Sequence, residues 1–138
     1  MIKILKQISV FLSNKPGMLA KFSKLLLEKK INMRAMTVAE TADKGLLRMV
    51  VDKPQEAIDL LKEYNYLVSV ENVITVEIPD KPGGLYEIAE MLGEHDVNIE
   101  YIYSSTLLKP EAIIVLKVDN TEKALEIFKS RGIKLIEK

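Results

Sequence analysis

The sequence predicts an α+β fold: two ferredoxin-like modules in tandem, each a βαββαβ unit with its helices on one face of an antiparallel sheet. Three observations predict it. Asn14-Lys15-Pro16-Gly17-Met18-Leu19 returns sixty-six residues later as Asp80-Lys81-Pro82-Gly83-Gly84-Leu85. Ile31-Asn32-Met33 returns at the same offset as Val97-Asn98-Ile99, and Val51-Asp52-Lys53 returns one residue later as Val118-Asp119-Asn120. The hydrophobic period then switches between alternating and helical in the same order in both halves. Repetition of this kind fixes the folding unit, so the 138 residues divide as 1–70 and 71–138. A unit of that size buries its core only marginally, which favours a shared sheet or a partner chain.

In the first copy Ile8, Val10 and Leu12 alternate as a half-buried strand does, and Ile74-Thr75-Val76-Glu77-Ile78 is their counterpart. The Pro-Gly turn then opens a helix carrying Leu19, Phe22 and Leu26, matched by Leu85, Ile88 and Leu92. Pro16 and Pro82 suit the first helical position, where a missing N–H costs nothing. Strands follow near 32–40 and 97–107. Turns at Asp43-Lys44-Gly45 and Lys109-Pro110 lead to third strands, Leu46–Val51 and Ala112–Val118. Pro54 starts a second helix carrying Ala57, Leu60, Leu61 and Tyr64. Its counterpart carries Ala124, Ile127, Phe128 and Arg131, with Asp119-Asn120-Thr121 as capping candidates. Short strands at Leu67–Val70 and Ile133–Ile136 close the copies, and the first runs through Glu71-Asn72 into the second copy without a linker. The third strands are apolar on both faces, which asks for a second covering surface, within the tandem or from another chain.

Composition narrows the function. Lysine plus arginine and aspartate plus glutamate both number 20, so the formal charge is zero. That argues against an electrostatic nucleic-acid or anionic-membrane surface and leaves room only for a local basic patch. There is no cysteine and a single histidine, His95, so thiolate chemistry and a histidine-based metal site are excluded. No Ser/His/acid set falls at the repeated loop, and the carboxylates are mostly interspersed with lysines on helix faces. No enzyme and no cofactor is expected. The opening Met1-Ile2-Lys3-Ile4-Leu5-Lys6 is broken by lysines and lacks a small-residue cleavage site. No run reaches membrane-spanning length, which makes the cytoplasm the expected location.

The strand–Asn/Asp-Lys-Pro-Gly–helix element carries the chemistry. A helix N-terminus presents unpaired N–H groups and the positive end of a dipole, a ready site for a carboxylate. Gly17 and Gly83 have no Cβ to keep a ligand from the backbone. Asn14 or Asp80, just before, can receive an amino group or cap the helix. A carboxylate-binding N-terminus beside an acidic or amide side chain complements a zwitterionic amino acid. A plain turn and cap is the structural alternative.

With these residues in view, the chain resembles two consecutive ACT domains: Ile8–Leu19 with Ile31-Asn32-Met33, and Ile74–Leu85 with Val97-Asn98-Ile99. The resemblance covers essentially the whole chain. It implies regulatory modules that bind amino acids or other small effectors at domain interfaces, and a homo-oligomer, most simply a dimer. It also implies roles: Asn14 and Asp80 at the ligand's amino group; Gly17, Met18, Leu19, Gly83, Gly84 and Leu85 as the backbone receiving its carboxylate; Asn32 and Asn98 lining the neighbouring site. Copy one departs in carrying Met18 and Asn14 where copy two has Gly84 and Asp80, so the Asp80 site is expected to bind more tightly. Met18, Met33, Leu85 and Ile99 lean toward an apolar ligand.

Three other readings compete. A regulatory subunit acting in trans, similar to acetolactate synthase small subunits, shares the ACT basis and implies an enzyme partner. An RNA-binding module has the same topology, but the third strands carry no aromatic for base stacking. Acylphosphatase-like catalysis wants an arginine in the loop after the first strand, and neither Ser13–Gly17 nor Pro79–Gly84 has one.

Overall fold

A computed structural model describes residues 2–40, 44–78, 81–105 and 113–133. The chain divides into two compact units: Lys6–Glu71, and Asn72–Lys138 together with Met1–Leu5. We call them the first and second modules.

The first module is built from the later part of β1 (Ile2–Ser13), from Lys6 on, α1 (Met18–Glu28), β2 (Met33–Glu40), β3 (Lys44–Val51) and α2 (Pro54–Glu63), with the opening residues of β4 (Val68–Glu77) as its last strand. Its sheet runs β2-β3-β1-β4. β3 pairs antiparallel with β1 and β2, and Phe11 N–H donates to the Leu67 carbonyl at 3.3 Å. Alternation in β1 puts Ile8, Val10 and Leu12 inward beneath Phe22 and Leu26 of α1 and Leu60 and Leu61 of α2. Phe22 meets Tyr66 edge to face at 5.4 Å.

The second module repeats the plan with the later part of β4, α3 (Gly84–Gly93), β5 (Ile99–Ser105), β6 (Ile113–Val118) and α4 (Thr121–Ser130), in sheet order β4-β6-β5. Its core joins Ile74 and Val76 to Ile88, Leu92, Ile127 and Phe128. Of the expected turn Asp43-Lys44-Gly45, Lys44 and Gly45 already belong to strand β3, while Asp43, the turn at Lys109-Pro110, residue 112 and the strand residues 134–136 lie outside the described residues.

Four details differ from the sequence reading. The closing strand of the first copy and the opening strand of the second are one uninterrupted strand, β4, because Glu71-Asn72 contains nothing that breaks extended backbone. Leu19 and Leu85 have the helical spacing of core residues but are 47% and 50% exposed, in the first turn of each helix. Tyr64 is likewise 53% exposed. Arg131 is exposed and pairs with Glu94 at 3.2 Å. Both edge strands carry a bulge at the same repeat position, Arg34 in β2 and Glu100 in β5.

The apolar third strands are buried on both faces. Val50, Ile113 and Val115 are at most 3% exposed although they belong to neither helix-side core. Buried polar groups are satisfied: Glu71 accepts from Ser9 and Ser69, and Thr75 Oγ1 donates to the Lys3 carbonyl. No described buried side chain lacks a partner.

Each helix ends the same way. Lys30, Asn65, Asp96 and Gly132 adopt positive φ after α1, α2, α3 and α4. The next residue's N–H then reaches back to the last turn: Ile31 to Leu26, Tyr66 to Leu61, Val97 to Leu92 and Ile133 to Phe128. This is the Schellman closure, and its apolar final residue packs on the core.

Candidate functional site

The repeated Lys-Pro-Gly segment is a type II β-turn. Met18 N–H donates to the Lys15 carbonyl at 3.3 Å and Gly84 N–H to the Lys81 carbonyl at 3.2 Å. Gly17 (φ 84, ψ −10) and Gly83 (φ 94, ψ −9) hold the third position, whose positive φ glycine alone adopts cheaply. The prolines therefore occupy the second turn position, not the first helical one expected from sequence. Their fixed φ serves the turn, and the glycines are the N-caps. Gly17 and Gly83 carbonyls accept the first helical bonds from Lys21 and Glu87, at 3.0 and 3.1 Å.

No side chain caps α1 or α3, so Asn14 does not take the capping role open to it in the sequence. The N–H groups of Leu19 and Ala20, and of Leu85 and Tyr86, have no intrahelical partner, and they point along the positive end of the helix dipole. Just before the first turn, Lys15 N–H reaches the Ser13 carbonyl at 2.9 Å. That three-residue turn places the exposed Asn14 at its apex. Asp80, its counterpart, lies outside the described residues. Met18 is half-buried where Gly84 is buried. The first turn of α1 contains no acid, whereas that of α3 contains Glu87.

Each module brings its turn and helix start together: Asn14, Gly17, Met18 and Leu19 in one, Gly83, Gly84 and Leu85 in the other. It keeps Asn32 and Asn98 apart from them. Both asparagines follow the C-terminal end of the same helix, and 11 residues of α1 span about 16 Å. There Asn32 N–H donates to Asp52 Oδ1 at 3.0 Å, and Asp52 N–H returns to the Asn32 carbonyl at 3.1 Å. Asn98 and Asp119 repeat both bonds at 3.0 and 3.1 Å. Sequence reasoning passed over these aspartates as bond partners. The signal available was their recurrence with the asparagines at matched spacing.

A groove of about 270 Å³ lies at that same end of the first module, lined by Lys29, Ile31, Glu56, Asp59, Leu60 and Glu63. It is remote from the turn. Among the described residues no cluster of histidine or carboxylates is arranged to hold a metal. His95 is exposed, with Nδ1 3.0 Å from the Met91 carbonyl oxygen of its own helix. Of the expected caps on α4, Asn120 acts: its Oδ1 accepts from Lys123 N–H at 3.1 Å. No described helix is long and apolar enough to cross a membrane.

Comparison with known proteins agrees with this architecture. The family model of the ACT domain pair matches residues 3–138. Protein BT0572 from Bacteroides thetaiotaomicron is 33% identical, with a TM-score of 0.88 over 95% of this chain and 90% of that one. The regulatory subunit of aspartate kinase from Thermus thermophilus, in ligand-free form, is 17% identical with a TM-score of 0.66, over 94% and 95% of the two chains. Its counterpart from Thermus flavus is 17% identical with a TM-score of 0.63, over 95% and 96%. No curated protein matches the sequence.

Proposed function

The chain belongs to the ACT domain-pair family, and we propose that it is a non-catalytic regulatory protein sensing a small effector, an amino acid, at its two Lys-Pro-Gly turns. The observation that carries this reading is the uncapped helix start behind a left-handed glycine, made twice by one turn geometry. The free N–H groups after Gly17 and Gly83 receive the effector's carboxylate. Asn14 and Asp80 receive its ammonium group. Leu19 and Leu85, each about half exposed beside the turn, meet its side chain. Asn32 and Asn98, a helix length away, serve a site completed by a second copy. In this reading the protein is a cytoplasmic homodimer that needs no cofactor, nucleic acid or membrane.

A second reading makes it a subunit that regulates an amino-acid-metabolism enzyme in trans. What favours it is that the two Thermus structures are themselves named regulatory subunits of aspartate kinase. Binding at one site reports on another only through coupling of two states, and an enzyme partner is one way to read them out. Co-purification of a catalytic subunit distinguishes the two readings.

The test of the first is a thermal-shift screen against the twenty amino acids. A ligand at a hundred times its Kd adds about 2.7 kcal/mol, which raises Tm on the order of 10 °C for a domain of this size. No shift with any amino acid overturns the proposal.

A further inference from the structure

The groove at the far end of the first module is acidic. Glu56, Asp59 and Glu63 line it from one stripe of α2, beside Ile31 and Leu60, and Lys29 is the one base among its lining residues. Two of the acids have local reasons to be there. Glu56 sits in the first turn of α2, where the helix dipole favours an acid, and Asp59 Oδ1 accepts from Gln55 Nε2 at 2.9 Å. Glu63 has neither reason. It is the last residue of α2, where the dipole disfavours an acid, and among the described residues it makes no hydrogen bond or ion pair. Just beyond it, Tyr64 and Leu67 are 53% and 69% exposed.

The second module keeps little of this. In its copy of the sequence Lys123, Glu126 and Ser130 stand at the three acidic positions, and Arg131 and Lys134 at the two apolar ones. The fold common to both modules therefore does not require an acidic groove with an apolar end. Its volume, about 270 Å³, lies below the roughly 300–1,000 Å³ of pockets that enclose a small ligand. A groove of that size suits one side chain of a larger partner. We infer that it docks a protein partner through a segment carrying lysine or arginine next to an apolar residue. The base lies among Glu56, Asp59 and Glu63, and the apolar group lies against Tyr64 and Leu67. Charge complementarity orients such a segment and rejects an acidic one. Exposed ion pairs are individually weak, so the apolar contact supplies most of the affinity. The inference rests on the reading of the chain as a subunit acting in trans, and it names the face and the partner chemistry that reading uses.

Fluorescence anisotropy on the full chain at low salt tests it, with a labelled peptide of alternating leucine and lysine as the probe. Binding is expected, weakening as salt rises, and a leucine–glutamate peptide of the same length should not bind. Glu56→Lys with Glu63→Ser gives the groove the second module's residues and should weaken binding ~10-fold or more. Glu126→Lys with Glu122→Ser makes the same change of charge on exposed positions of α4 and should leave affinity within ~2-fold. No binding at ~100 µM, binding of the acidic peptide, or equal loss in the two variants overturns the inference. Amide shifts on NMR titration with the leucine–lysine peptide should centre on Ile31, Glu63 and Tyr64; shifts centred elsewhere overturn the assignment of the groove. If a catalytic subunit co-purifies with Glu56→Lys, Glu63→Ser as well as with the parent chain, the reading in trans stands and the groove falls.

Discussion

Asp52 closes a two-bond clamp on Asn32: its Oδ1 accepts from Asn32 N–H at 3.0 Å while its own N–H donates to the Asn32 carbonyl at 3.1 Å. The clamp fastens the start of β2 to the end of β3, immediately before the bulge at Arg34. A hydrogen bond to a charged acceptor contributes more than a neutral one, and this one is exposed to water, so its loss costs about 1 kcal/mol. Asp52→Ala is expected to lower urea stability by that amount, while Asp52→Asn keeps an acceptor and recovers most of it. Asp119→Ala, facing Asn98 in the second module, behaves alike. Equal urea midpoints for Asp52→Ala and the parent chain would show that the clamp is geometry without energy.

Left-handed backbone makes two opposite predictions. A Cβ on Gly17 meets nothing within 4 Å, yet its φ of +84 is one that side chains rarely adopt. Gly17→Ala therefore costs about 1 kcal/mol through backbone strain rather than crowding. Lys30 already bears such strain at φ 55 in the closure of α1. Lys30→Gly relieves it and gains about 0.5–1 kcal/mol. Thermal denaturation of the two variants should move Tm in opposite directions.

Tyr86 donates its phenolic hydrogen to Glu90 one turn along α3. That bond, with the nearby negative charge of Glu90 and then Glu94, raises the phenol above its ordinary pKa of 10.0. Because the folded value lies above the unfolded one, the stabilisation is fully present below pH 10.0 and is lost as pH climbs through the raised folded value. Following the Tyr86 ring by NMR through an alkaline titration should show late ionisation, and Glu90→Gln should bring it back toward the ordinary value.

The particular residues show what a sequence can and cannot convey here. Ile8, Val10 and Leu12 announced their strand because alternation is a local property, and the repeat announced two modules because Lys-Pro-Gly recurs. The helix starts were misplaced because a proline suits both the second position of a turn and the first of a helix; the glycine's φ decides between them. The Asp52 clamp was hidden because its partners are twenty residues apart and only folding brings them together. Leu19 has the spacing of a core residue yet is half exposed, because helical spacing gives the direction of a side chain but not what packs over it.

The two turns are expected to bind unequally, and the structure adds an opposing effect to weigh. On the proposed function, Asn14 would offer an amide to the effector's ammonium group at the first turn, and Asp80 would offer a charge at the second. A charge-assisted hydrogen bond in place of a neutral one is worth about 1–2 kcal/mol. Against this, Glu87 in the first turn of α3 repels an incoming carboxylate, while α1 has no acid there. Exposed charges near a helix end contribute about 0.3–1 kcal/mol, so Asp80 prevails and the second site is the tighter by roughly tenfold or less. In calorimetry, Asp80→Ala should remove the stronger binding and Asn14→Ala only the weaker, while Glu87→Gln tightens the second site further. Unchanged affinity in Asp80→Ala together with complete loss in Asn14→Ala would reverse the ranking and make the helix-end charge the governing factor.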